Sequence, residues 1–134
     1  MILASMGVMV GFIGASMRLL KSIQVHVADR SFSKHQFFIV ASAAVILVLT
    51  ANTICVWIWA ALFLTLGVFP TLEEAVYFSI VSFTTVGYGD VVVDKNWRIL
   101  SGFVSVNGLL AFGIFTAFLI QVMREISSRV LHRI

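Results

Sequence analysis

Two stretches of this chain carry no charged side chain at all: residues 36–69 and residues 99–123. Each is longer than the ~20 apolar residues a helix needs to cross a ~30 Å hydrocarbon core. With 60% hydrophobic and only 11% charged residues, a domain of 134 residues cannot hide its apolar surface from water. The mean hydropathy of +1.07 says the same. The chain is therefore read as an all-α membrane protein, because backbone in lipid must satisfy its own hydrogen bonds. The length allows one small domain, with no room for a nucleotide- or calcium-binding regulatory domain. The one cysteine, Cys55, lies inside an apolar run. It is expected to be a buried packing residue, with no intrachain disulfide.

The charges lie between the apolar runs and set the topology. Residues 18–35 carry Arg18, Lys21, Arg30 and Lys34 against Asp29, a net +3, and residues 124–134 carry Arg124, Arg129 and Arg133 against Glu125, a net +2. Residues 70–98 carry Glu73, Glu74, Asp90 and Asp94 against Lys95 and Arg98, a net −2. Basic segments stay on the cytoplasmic side, so 18–35 and the tail 124–134 are expected inside and 70–98 outside. This also accounts for the overall charge of +3 without nucleic acid as a partner. Residues 1–17 are uncharged and form a third candidate span, which puts the N-terminus outside. A signal peptide is the competing reading, against which stands the lack of a basic region before the apolar run. Gly7, Gly11 and Gly14 share one face of that segment and would allow close approach of another helix. Within 18–35, Leu19, Leu20, Ile23 and Val27 share a helical face, which fits an interfacial helix touching membrane lipids; a plain solvated connector fits equally.

The run 36–69 reads as one long tilted outer helix, crossing outward, with Trp57, Trp59 and Phe63 available as interfacial anchors. Asn52, its amide, is expected to bond a neighbouring helix. Pro70, the one proline, breaks the run. Thr71-Leu72-Glu73-Glu74 then reads as a capping box, opening a short helix over 71–84 that is too short to span. It would dip in from the outside, and its C-terminal end would carry partial negative charge toward a cation. The run 98–123 returns to the cytoplasm as an inner helix.

Between the short helix and the inner helix stands Thr85-Val86-Gly87-Tyr88-Gly89-Asp90. On this T-V-G-Y-G-D sequence the chain resembles the potassium-channel superfamily, specifically its small bacterial-type members with a single pore loop. The resemblance covers residues 36–123 and leaves the first helix and linker outside it. It implies a pore domain in which 71–84 is the pore helix and 85–90 the selectivity filter. Backbone carbonyls of Thr85, Val86, Gly87 and Tyr88, with the Thr85 hydroxyl, would replace the water shell of a permeant potassium ion. Carbonyls pointing the same way require alternate left-handed residues, which Gly87 and Gly89 supply at little steric cost. Val86 and Tyr88 would point away and pack against surrounding helices. Gly89 and Asp90 would form the outer mouth, where Asp90 attracts cations.

The resemblance also matches Gly108 to the family's gating hinge, with Gly102 and Gly113 as alternatives and plain helix packing as the other explanation. Helical spacing from Gly108 puts Leu109, Phe112, Thr116 and Ile120 on the cavity face, with Phe112 and Ile120 as candidates for an apolar constriction. Asn107 is expected beside the cavity or at a helix contact. One chain supplies one pore loop and a ring of carbonyls needs four, so a homotetramer is implied. Val91-Val92-Val93 departs from relatives that carry a proline after Y-G-D, which leaves the vestibule shape open. No nucleophile–base pair or metal-ligand cluster points to an enzyme, no regularly spaced arginines form a voltage sensor, and His26, His35 and His132 read as interfacial polar residues. The expected function is passive, potassium-selective conduction across the cell membrane. A cation channel of relaxed selectivity and a non-conducting regulatory subunit are the alternatives. What opens the pore is left open among lipid, pH, tension and a regulatory partner.

Overall fold

In the computed structural model, which describes residues 7–8, 10–18, 21 and 34–131, no β-sheet occurs among these residues. Helix α1 spans Lys34–Thr65, α2 spans Leu72–Phe83, a 3-10 turn spans Lys95–Trp97, and α3 spans Arg98–Leu131. Among the described residues, two segments are long and apolar enough to cross a membrane, Phe38–Thr65 and Lys95–Glu125. Their apolar side chains point in every direction, and Phe38, Ile39, Ile46, Leu49, Ile99 and Leu110 are more than half exposed. A helix that is apolar all round belongs in lipid or in a larger core.

The outer helix, expected over 36–69, stops earlier, at Thr65. The cause is Gly67, whose φ is +65°. Its N–H donates to the Leu64 carbonyl at 3.1 Å, and the Val68 N–H donates to the Phe63 carbonyl at 2.9 Å. This is the Schellman closure, which requires a left-handed residue just past the helix and favours glycine there. Pro70 follows the stop rather than making it. The inner helix, expected to end at 123, runs on to Leu131 and takes up the first part of the 124–134 tail. The pore helix, expected over 71–84, spans Leu72–Phe83 with Thr71 and Thr84 as its caps. The Thr71 hydroxyl accepts the Glu74 N–H at 3.2 Å, so the N-terminal half of the capping box forms. The return bond from the Glu74 carboxylate is not made.

The short helix α2 is wedged between α1 and α3, and aromatic rings fix it there. Phe78 meets Phe63 edge-on at 5.3 Å between centroids and Phe69 at 5.0 Å. Trp59 and Phe63, 6.2 Å apart, are fully buried. They are core residues, so of the three anchor candidates Trp57, 49% exposed, is the one left available for that role. Cys55 is buried, as expected. Asn52 differs from expectation, because its buried side-chain oxygen meets no partner among the described residues.

Residues 7–8 and 10–18 are helical. Phe12 is buried there against Phe115 and Phe118 of α3, at 4.4 and 5.2 Å between ring centroids. The faces of Gly7, Gly11 and Gly14 meet nothing within 4 Å. Most of the 18–35 linker, including Leu19, Leu20, Ile23, His26 and Val27, lies outside the described residues, as does His132.

Of the glycines, Gly108 is the one packed closely against a neighbour. A Cβ there would lie 1.8 Å from the Phe83 carbonyl oxygen at the end of α2, whereas one at Gly113 would meet nothing within 4 Å. Gly108→Ala is therefore expected to destabilise the protein by at least about 1–3 kcal/mol, the usual range for overpacking. Gly113→Ala is expected to be neutral or to stabilise by about 0.5–1 kcal/mol through helix propensity. Thermal unfolding of the two variants in detergent checks this, and equal melting temperatures would contradict it.

Candidate functional site

The loop after α2 begins by closing the helix on itself. The Thr84 N–H donates to Ile80, the Thr85 N–H to Ser82 at 3.1 Å, and the Val86 N–H to Val81 at 3.0 Å. The Gly87 N–H also reaches the Val81 carbonyl, at 3.3 Å. The Thr85 and Val86 bonds repeat the Schellman pattern seen at Gly67. Here the left-handed residue is a threonine, with φ +61°. A β-branched residue in that region is a steric outlier, at a cost of about 1–2 kcal/mol, and such outliers are kept where the local geometry is needed.

Left-handed backbone then recurs at alternate positions. Gly87 has φ +58° and Gly89 φ +78°, while Val86 and Tyr88 between them keep negative φ. The alternation predicted for the two glycines is present, and it extends one step further in, to Thr85. Among the described residues, none donates a hydrogen bond to the carbonyls of residues 85–89 and none partners the Thr85 hydroxyl. The segment is a strand of backbone whose N–H groups are turned to the helix end at its start and whose oxygens are left open. Val86 and Tyr88, expected to pack against surrounding helices, are 51% and 73% exposed within this one chain.

The outer end of the strand is tied back to the same helix. The Tyr77 hydroxyl donates to one carboxylate oxygen of Asp90 at 2.5 Å, and the Val91 N–H donates to the other at 3.0 Å. The tyrosine bond holds the Asp90 carboxyl below the usual carboxylate range; desolvation opposes it, and the Val91 N–H adds a lesser lowering. The same bond raises the Tyr77 hydroxyl. Tyr77 went unnoticed in the sequence: it precedes Asp90 by thirteen residues, and their meeting depends on how the strand lies along α2. Of the three valines that follow, Val93 is buried and Val92 is exposed, so the segment after Asp90 keeps an apolar side chain on its surface.

The inner end rests on α3. The Ser105 hydroxyl donates to the Ser82 carbonyl at 2.9 Å, and Gly108 lies against the Phe83 carbonyl. The Phe83 ring stands 6.2 Å from that of Phe112. Leu109, Phe112, Thr116 and Ile120 all lie on the face of α3 that this chain leaves exposed. Val104, Ala111, Phe115, Phe118 and Val122 form the buried face. Asn107 is buried, at a helix contact rather than on the open face. Ser105 was also missed, since a serine in an apolar helix gives no sign of which carbonyl it will meet.

A short helix held between two membrane-length helices, and followed by a strand of open carbonyls, is the architecture of a pore-loop channel. Residues 37–125 match the protein family described as "Ion channel". The chain belongs to that family, within the potassium-channel type of two-helix, pore-loop proteins that T-V-G-Y-G-D suggested. Comparison with curated proteins and with solved structures gave no match.

Removing the tyrosine hydroxyl isolates the outer tie. In Tyr77→Phe, the Asp90 carboxyl is expected to titrate at higher pH than in the native chain, because the bond that favours the ionised form is gone. The native carboxyl loses its charge only as pH falls below the usual carboxylate range, and the variant's loss begins earlier on that descent. Carboxyl NMR shifts of Asp90 followed against pH check the direction, and superimposable curves would contradict it.

Proposed function

We propose that the chain forms a homotetrameric, potassium-selective channel of the cell membrane. The observation that carries this reading is the left-handed alternation at Thr85, Gly87 and Gly89, with carbonyls that find no donor among the described residues. Four such strands around one axis would present rings of oxygens from Thr85, Val86, Gly87 and Tyr88, with the Thr85 hydroxyl at the inner end. Rings of this kind replace the hydration shell of the permeant ion, and multi-site binding allows it to leave again. Flux is then passive and follows the electrochemical gradient. Gly89 and Asp90 form the outer mouth, where the Asp90 carboxylate favours cations. The C-terminal end of α2, with its partial negative charge, points at the same axis from each copy.

In this reading the exposed arc of α3 faces the cavity, so Leu109, Phe112, Thr116 and Ile120 line the path, and Phe112 and Ile120 narrow it. Gly108 is the pivot that the resemblance implies. Its contact with Phe83 means that bending there would carry the pore helix along, whereas Gly113 has open space beside it. The charge pattern supports an outside N-terminus, a cytoplasmic C-terminus, and a first helix crossing ahead of the linker. The function calls for no enzyme chemistry and no nucleic-acid partner; membrane lipids, or a regulatory partner, are the candidates for controlling the gate.

The test is ion flux from liposomes holding purified protein. The native chain is expected to pass potassium and to reject sodium. Gly87→Ala should lower potassium flux or the preference by at least about ten-fold, since four copies each meet about 1–2 kcal/mol of left-handed strain. Equal potassium and sodium flux would point instead to relaxed selectivity, for which the apolar outer mouth at Val91–Val93 is the place to look. A protein that forms only monomers or dimers would remove the basis of the channel reading.

A further inference from the structure

Several serine and threonine hydroxyls of the described residues share one kind of partner, although that of Ser79 is buried without one. Ser16, Thr50, Thr53, Thr65, Thr84 and Ser101 each donate to a carbonyl three or four residues back in their own helix. In an apolar surrounding this is the cheapest way to satisfy an O–H. Among the serine and threonine hydroxyls of the described helices, Ser105 is the one that donates to another element, to the Ser82 carbonyl at 2.9 Å. The carbonyl it reaches is not an arbitrary one. Ser82 O also accepts the Thr85 N–H, the bond that closes the helix and fixes the left-handed turn into the strand. A single oxygen thus joins α3 to the innermost residue of the filter. Three residues further along the same face of α3, Gly108 abuts the carbonyl of Phe83, the neighbour of Ser82. The contact is two-point, and it lies directly beneath the strained threonine.

We propose that Ser105 is a positioning residue for the innermost ion ring: acting through the Ser82 carbonyl, it holds Thr85 in the left-handed conformation that aims its carbonyl and hydroxyl at the ion. Ser105 touches no ion itself. The hydroxyl keeps the end of the pore helix in register with the inner helix, and the close fit at Gly108 keeps the two from sliding apart. A displacement of the inner helix at this level is passed to the base of the filter. The proposal rests on the reading of the chain as a potassium channel.

The test uses the full-length assembled protein in detergent or nanodiscs. Potassium affinity is titrated against a sodium background, and hydrogen exchange is followed at the Thr85 and Val86 amides. Ser105→Ala is expected to weaken potassium affinity roughly five-fold, the scale of one lost hydrogen bond, and to speed exchange at both amides. Ser105→Thr, which keeps the donor, should retain native values. Ser101→Ala, which removes a bond within α3 alone, should leave both readouts unchanged. Ser105→Cys, close in shape but a far weaker donor, should move both in the direction of alanine and stands in if the alanine variant assembles poorly. Native affinity and native exchange in either Ser105→Ala or Ser105→Cys would overturn the proposal while leaving the channel reading intact. A native chain that does not prefer potassium over sodium would remove the channel reading and this proposal with it.

Discussion

The left-handed turn at Thr85 is the point on which the rest of the structure hangs. It lets the Thr85 and Val86 N–H groups turn back onto the Ser82 and Val81 carbonyls, so these two acceptors at the end of the pore helix are satisfied. The same turn sets the first step of an alternation that Gly87 and Gly89 continue. The amides at the start of the strand therefore face the helix, and the oxygens of the strand face away from it. Backbone oxygens without donors cannot face hydrocarbon, and they are tolerable only where protein, water or an ion meets them. Assembly around a common axis follows as a condition of the fold in the proposed channel, because only there do the open carbonyls find a partner.

The strand is clamped by one short helix at both ends. At the inner end the clamp is backbone, through Val81 and Ser82; at the outer end it is the Tyr77 hydroxyl on Asp90. The helix is itself held by the Phe63, Phe69 and Phe78 rings on the α1 side and by Ser105 and Gly108 on the α3 side. Each support is small, a ring contact or a single hydrogen bond. They converge because the helix is twelve residues long and is touched on both flanks. The exposed Val86 and Tyr88 side chains are the part of the site left without support in one chain. In the proposed tetramer the neighbouring copies cover them.

The readable parts of this fold were those fixed by local chemistry. The uncharged runs marked the two membrane-length helices, Thr71 marked the start of the pore helix, and Gly87 and Gly89 marked the alternation by their freedom at positive φ. The parts that escaped depend on long-range contact. Thr85 carries no local sign of a left-handed backbone, because a β-branched residue is the wrong type for it and only the helix closure forces it there. Pro70 masks Gly67 in the sequence because proline is the louder breaker, although the glycine makes the stop. Trp59 looks like an interfacial anchor in the sequence, and its burial is decided by which side of α1 the pore helix takes. Tyr77 and Ser105 are ordinary residues until the fold brings them to Asp90 and Ser82.

In the proposed channel, four copies of the strand from Thr85 to Tyr88 form one row of sites for a dehydrated monovalent cation. Crystals of the assembled protein grown with thallium in place of potassium test it most directly, since thallium is a monovalent cation that anomalous diffraction locates. The account predicts a line of anomalous peaks on a four-fold axis, each ringed by carbonyl oxygens of Thr85, Val86, Gly87 or Tyr88 from all four copies. An assembly without a four-fold axis, or peaks only at Asp90 and the other surface acids, would contradict it.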